Sequence, residues 1–231
     1  MNEIKQETFF LSGKELMLLL AAKGIEDIYA LDMDHVSVDE SEACYLLNSL
    51  YQNQFIDSNG GNFQIEEALD EMLIGIKNAE RLLLMRSFAG RLQSLCLYQS
   101  GNLLILLQTL EKNKRVKITS FPKEGLWDMI EKLKEQEFGY TPVLEEEDAY
   151  MEILNSKKHV GREKLVRFHN VPFLLEEISV HTGELMGRLL IRFKKNEICI
   201  VCKKSKDIHE YAWSWEEMRN QLYRMIGEED I

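Results

Sequence analysis

Hydrophobic positions along this chain follow two rhythms, a helical one of three and four and a strand one of two. The order in which they alternate repeats itself. Glu7-Thr8-Phe9-Phe10-Leu11 reads as a short strand running into a helix. Ser12 and Glu15 stand at capping-box spacing, Leu16, Leu19 and Leu20 supply one apolar face, and Gly24 is the predicted stop. A second helix, opened by Ser37 or Asp39, is predicted to bury Ala43, Leu46, Leu47, Leu50 and Tyr51. Asp57-Ser58-Asn59-Gly60-Gly61 is a strong turn, and Phe63 and Ile65 fit a short extended segment after it. A third helix begins near Glu66, with Leu69, Met72, Leu73 and Ile76 on one stripe.

From Arg81 onward the strand rhythm takes over. Predicted strands are 81–87, 92–99, 103–110 and 115–120, joined by turns rich in Gly, Ser, Asn and Lys. Leu103-Leu104-Ile105-Leu106-Leu107 is apolar without alternation, which predicts a central strand covered on both faces. Arg115-Val116-Lys117-Ile118-Thr119 alternates and should keep one wet face. Pro122 suits the first turn of a helix running to Glu137. Gly139-Tyr140-Thr141-Pro142 breaks the pattern. A weaker helix carrying Tyr150, Ile153 and Leu154 then links to a second run of predicted strands, 173–181, 185–194, 198–204 and 210–213. The linking segment is the expected exposed, movable region. A last helix starts near Ser214 and stops by Gly227, ahead of a frayed acidic tail, Glu228-Glu229-Asp230.

The apolar stripe Leu126, Met129, Leu133 returns at a constant offset as Trp215, Met218, Leu222. A ββββα unit said twice predicts an α+β fold, with a mainly antiparallel sheet built from two pseudo-symmetric halves. The N-terminal helices and the linking helical segment would pack on that sheet. The expected organisation is a single domain over 1–231: N-terminal strand and helices to 79, first half 80–137, linker 138–163, second half 164–231.

Composition narrows the function classes. The chain has 231 residues, 45% hydrophobic and 29% charged, which is ordinary globular content that needs no metal or disulfide to hold a core. A formal net charge of −11 argues against a phosphate-backbone partner and against an anionic membrane surface. No stretch approaches the roughly 20 apolar residues of a membrane span, and the N-terminal residues lack the basic start and apolar core of a signal peptide. The four cysteines, Cys44, Cys96, Cys199 and Cys202, then read as reduced, buried thiols of a cytoplasmic protein.

Chemistry is sought and not found. Cys199-Ile200-Val201-Cys202 lies within a predicted strand, where residues three apart point to opposite faces, and no second pair exists to complete a zinc site. The histidines 35, 159, 169, 181 and 209 form no HExxH or His-x-His, and no nucleophile elbow, P-loop or dinucleotide fingerprint is present. The acidic clusters at 39–42 and 66–71 fall in first turns of helices, where carboxylates favour the positive end of the dipole. The stretch 39–77 has a winged-helix order of parts, yet holds eight acidic residues and one basic residue, so helical cover for the sheet is the better reading than DNA recognition. Gly183 and Gly187-Arg188 read as hairpin geometry with an exposed Arg. Trp127, Trp213 and Trp215 read as core anchors. No cofactor, metal or nucleotide is expected, and no enzymatic activity.

This order of parts resembles the EspG family, the substrate-specific chaperones of type VII secretion. The strand-into-helix opening (9–23), the Gly60–Lys77 passage, and Thr182, then Gly187-Arg188 with the run to Ile226, carry the likeness. The departures are a short turn at Phe88–Arg91, where the family tends to carry a longer binding loop, and a high Lys and Glu content that suggests a low-GC Gram-positive source. The resemblance implies a cytosolic, non-enzymatic protein that holds a helical-hairpin secretion substrate. Phe88 and Arg91, at the loop position, and Tyr223 and Met225, on the closing helix, are the expected partner-binding residues. A toxin-neutralising or regulatory interaction protein, steered by the negative charge, is the alternative, and an enzyme with an unrecognised site the third.

Overall fold

The computed structural model describes residues 7–25, 28, 38–59, 62–87, 95–110, 115–129, 131, 149–160, 173–194 and 197–227. Within these, the strands are β1 Glu7–Ser12, β2 Ile56–Asn59, β3 Asn62–Ile65, β4 Arg81–Ser87, β5 Leu95–Ser100, β6 Leu103–Leu110, β7 Arg115–Pro122, β8 Phe173–Ser179, β9 Leu185–Lys194, β10 Glu197–Lys204 and β11 Asp207–Ala212. The helices are α1 Gly13–Ala22, α2 Glu40–Gln52, α3 Glu67–Lys77, α4 Ala149–Asn155 and α5 Trp215–Met225, and residues 126–129 are also helical. Nine strands make the main sheet, β2 and β3 pair separately, and the expected α+β class with a mainly antiparallel sheet holds. The chain divides into two compact units, Met1–Ala79 with Leu95–Pro122, and Glu80–Ser94 with Lys123–Ile231.

In the first unit the strand order is β1-β7-β6-β5, antiparallel throughout. Local signals in the sequence fix its helices. Ser12 caps α1, its side chain accepting from the Glu15 amide at 3.2 Å while the Glu15 carboxylate accepts from the Ser12 amide at 2.7 Å. Gly24, at φ +68°, closes α1 as only glycine does cheaply. Its amide reaches the Ala21 carbonyl and the Ile25 amide reaches Leu20, both at 2.9 Å, the double bond of a Schellman stop. Asp39, not Ser37, caps α2. Leu46 and Leu50 of α2 are buried, but Tyr51 is half exposed, contrary to expectation, because it sits past the narrow stripe that faces α1. α3 buries Leu69, Met72, Leu73 and Ile76 as expected and packs on β5 and β6. Gly75 permits that approach: a Cβ there would lie 2.3 Å from Cδ1 of buried Ile105. β6 is buried on both faces, and β7 alternates except at Thr119 on the expected wet face, which is buried with its hydroxyl 3.2 Å from that of Thr8 on β1. Pro122 ends β7 rather than opening the helix, and a 3-10 turn, Lys123–Gly125, intervenes.

In the second unit the order is β4-β8-β9-β10-β11. β4 pairs with β8 over all seven residues, from Arg81↔Ser179 to Ser87↔Phe173. One sheet face carries Leu174, Leu190 and Val201, which pack with Ile153, Leu154 and Val160 into a closed core cluster. The described part of the linking segment is therefore anchored, not loose as expected. Its apolar residues lie on the sheet, and Ile153 and Leu154 have no exposed surface. Met218 and Leu222 of α5 are buried, and Gln221 of the same helix lies 3.6 Å from the Cys202 sulfur on β10. Ser214 caps α5 by accepting from the Glu217 amide at 3.0 Å. The expected helix end at Glu137, the linker start, the turn at 88–91 and the acidic tail lie outside the described residues.

Candidate functional site

Among the described residues no group of three or more His, Cys, Asp or Glu side chains is placed to hold a metal. Cys199 and Cys202 lie on β10 facing opposite sides of the sheet. Burial, followed by Glu210, pushes the Cys199 thiol above its ordinary range, and burial with the Glu217 charge pushes Cys202 up to about 12. Cys202 lies 3.6 Å from the Gln221 Oε1 atom. Neither thiol ionises readily, which does not suit a nucleophile or a metal ligand.

Among the described residues one cluster of charges is buried. Glu176 (β8) has no exposed surface, and Arg188 faces it across the β8–β9 pairing. Arg188 Nε and Nη2 both lie 2.8 Å from Glu176 Oε1, and Arg86 Nη1 donates to Oε2 at 3.3 Å. The Val160 amide donates to both carboxylate oxygens at 3.2 Å. Arg188 also donates to the carbonyls of Leu154 (3.2 Å), Ser156 (2.6 Å) and Lys158 (2.6 Å), and Arg86 to that of Val160. Lys203 adds bonds to the Leu154 carbonyl at 2.8 Å and to Asn155 Oδ1 at 3.1 Å. Every donor here ends on the segment 154–160 or on Glu176, so the cluster staples that segment to the sheet. The reading of Arg188 as an exposed hairpin residue is overturned: it is 1% exposed, because carbonyls and a carboxylate replace its water.

Among the described residues several grooves are open, and two differ clearly in chemistry. One, of about 620 Å³, lies beside α5 and is lined by Glu177, Cys202, Lys204, His209, Tyr211 and Arg224. Burial pushes the Glu177 carboxyl above its ordinary range, against the pull of Arg81 and then Lys204. Arg81 lies 3.2 Å from Glu177 and donates to the Met225 carbonyl at the end of α5, also at 3.2 Å. The other, of about 720 Å³ in the first unit, is walled by Leu18, Leu19, Leu47, Leu50 and Ile56, with Phe63 more than half exposed at its mouth.

The tryptophans are not deep core anchors. All three come together half-buried at one place in the second unit. Trp215, in the first turn of α5, stands edge-to-face with Trp127 (centroids 5.7 Å, 65°) and with Trp213 (5.0 Å, 72°). The Trp213 amide donates to the Ile198 carbonyl at 3.0 Å, and Ile198 is itself 38% exposed. Such half-buried aromatic clusters are the usual anchors of protein interfaces. Sequence reading missed the cluster because Trp127 and Trp215 are far apart along the chain. The signal was that each opens a helix.

Of the expected partner-binding residues, Phe88 and Arg91 lie outside the described residues. Tyr223 is 5% exposed, with its hydroxyl donating to the Glu124 carbonyl at 3.2 Å, so its ring completes the packing stripe of α5. Met225 is half-buried on the last turn.

No family model matches the chain, and no curated protein matches it in sequence. A solved structure does match in fold: the type VII secretion system chaperone EspG5 of Mycobacterium tuberculosis, in complex with the PE25–PPE41 dimer. The TM-score is 0.57 at 8% identity, over 92% of this chain and 93% of that one. The likeness spans both chains almost end to end, and this protein shares the fold of that chaperone.

Proposed function

We propose that this chain is a non-enzymatic, cytoplasmic binding protein, an EspG-like chaperone that holds a helical-hairpin substrate of type VII secretion. The single observation that carries the reading is the near end-to-end fold match to a chaperone solved with its bound protein dimer. The surface chemistry supports it: a half-buried aromatic cluster and an apolar groove suit a protein ligand. No cofactor is assigned. The client-binding residues we assign are Phe88 and Arg91 with the end of the closing helix at Met225, while Tyr223 acts by holding that helix in place. An interface of standard size would cover roughly 1,200–2,000 Å² in total.

The test is to tag the protein at its natural locus and identify what it retains when isolated from its own cells. A small helical protein that aggregates or is not secreted when the chaperone is deleted is the expected result. The net charge of −11 favours one rival, a neutraliser of a basic toxin. Retention of a basic enzyme whose activity the chain blocks would establish that rival instead. Phe88→Ala is expected to weaken client binding while leaving the melting temperature near that of wild type.

A further inference from the structure

We infer that the apolar groove of the first unit docks an amphipathic helix of a protein partner that carries Lys or Arg beside its apolar stripe. Its residues are other than the client-binding ones, so the inference does not rest on the chaperone reading. Two helices and a hairpin build the groove. Leu18 of α1 and Leu47 of α2, both half-buried, meet Leu50 and Ile56 around a space of about 720 Å³, with Phe63 more than half exposed at the mouth. A second groove, lined in part by the same Ile56 and Glu67, continues this surface to half-exposed Tyr51. Both rings stand outside the buried core, and contiguous exposed apolar surface marks an interaction site. The border fixes the partner's charge. Glu67, Asp70 and Glu71 of α3 line the first groove, and Asp57, Glu66 and Glu67 line the second. Among the described residues Lys23 is the one cation lining either groove, and Asp70 pairs with it. α2, β2 and β3 contain no Lys, Arg or His. Of the remaining lysines on these elements, Lys14 pairs with Glu42 and Lys77 donates to the Lys23 carbonyl at 2.7 Å. Glu67 and Glu71 are exposed, and neither has a cationic partner among the described residues. An uncompensated acidic border beside an apolar wall attracts cations flanking an apolar stripe and repels an acidic segment. It opposes an anionic lipid surface and a nucleic-acid backbone as well, which leaves a protein as the occupant. A helix brings such a stripe with its own backbone groups already paired, which suits walls made by the side chains of other helices.

Binding to the full chain is read from the anisotropy of dye-labelled synthetic peptides of equal length. One is an amphipathic helix of Leu and Lys, one its Leu and Glu counterpart, and one a scrambled Leu and Lys peptide with no apolar face. The amphipathic Lys peptide is expected to bind saturably and at least about tenfold tighter than either of the others. Two charge-matched double variants separate docking from attraction to the net charge of −11. Glu67→Gln with Glu71→Gln should weaken the Lys peptide about tenfold, whereas Asp128→Asn with Glu216→Gln, in the second unit, should leave it within about twofold. Phe63→Ser should weaken it at least about tenfold, whereas Tyr45→Ser, at a 72% exposed position of α2 that lines neither groove, should not. All four variants change exposed residues, and a thermal melt checks that each is folded. Equal weakening by the two acidic pairs, equal binding of the amphipathic and scrambled Lys peptides, or a Phe63→Ser variant that binds as wild type does would overturn the assignment. None of these results involves the natural client. The groove assignment therefore stands if the chaperone reading fails, and falls without taking that reading with it.

Discussion

At the scale of single side chains, the buried Glu176 carboxylate sets a strict demand. It accepts from two arginines and one backbone amide with no exposed surface, so removing it strands two guanidinium groups against the segment 154–160. Breaking a buried ion cluster by deleting one partner typically costs about 3–5 kcal/mol. Glu176→Ala is expected to fall in that range by urea denaturation. Arg188→Lys should also cost most of it, because an ammonium cannot span one carboxylate and three carbonyls at once. A loss under about 1 kcal/mol for either would show the staple to be dispensable. The adjacent Glu177 behaves differently. Burial raises its pKa in the folded state, so its favourable contribution is complete below the unfolded carboxylate pKa and is lost as pH rises through the raised value. Glu177→Gln should therefore gain on wild type as pH rises across that window, and a melting-temperature difference that stays constant with pH would refute it. Neither role was legible in the sequence. Glu176 and Glu177 interrupt the apolar run Phe173-Leu174-Leu175, and Arg86 interrupts Leu82-Leu83-Leu84-Met85, yet which of these charges is buried depends on partners up to 90 residues away. The only local trace was charge at positions whose neighbours are all core.

At the scale of elements, the sequence was far more legible, because caps and periodicity are local. The capping box at Ser12, the acceptors at Asp39, Glu66 and Ser214, and the stop at Gly24 all act within a few residues of their own position. What escaped was tertiary. Tyr51 continues the stripe of α2 but finds nothing to cover it, and α4 is too short to signal how firmly Ile153 and Leu154 are held. The Glu15 carboxylate shows how a local cap acquires a second duty. Besides capping the Ser12 amide, it accepts from the Ser49 hydroxyl of α2 at 2.7 Å, tying the start of α1 to a second helix. Ser12→Ala should cost about 1 kcal/mol, the usual value of a lost cap. Glu15→Ala should cost more, about 2 kcal/mol, since it frees two donors at a largely buried site and hydrogen bonds to a charged group are stronger. Equal losses in chemical denaturation would mean that the Ser49 bond contributes nothing.

At the scale of the whole molecule, the path of the chain matters more than the boundary drawn by contacts. The first unit takes Met1–Ala79 and Leu95–Pro122, and the second takes Glu80–Ser94 and Lys123–Ile231, so the chain passes from one to the other three times. Neither unit is a continuous piece. Residues 123–231 expressed alone would lack β4, the strand that hydrogen-bonds along all of β8, and would leave the β8 edge and Glu176 without Arg86. An interleaved chain of this kind is expected to unfold as one cooperative system. The arrangement of the tryptophans makes this measurable, because all three lie in the second unit while helices and strands of both contribute to far-UV ellipticity. In urea, emission and ellipticity should give coincident transitions with one midpoint and one slope. If the tryptophan transition separates from the ellipticity transition by more than the error of the midpoints, the two units are independent folding domains, and the sequence's reading of 1–231 as a single domain must be replaced.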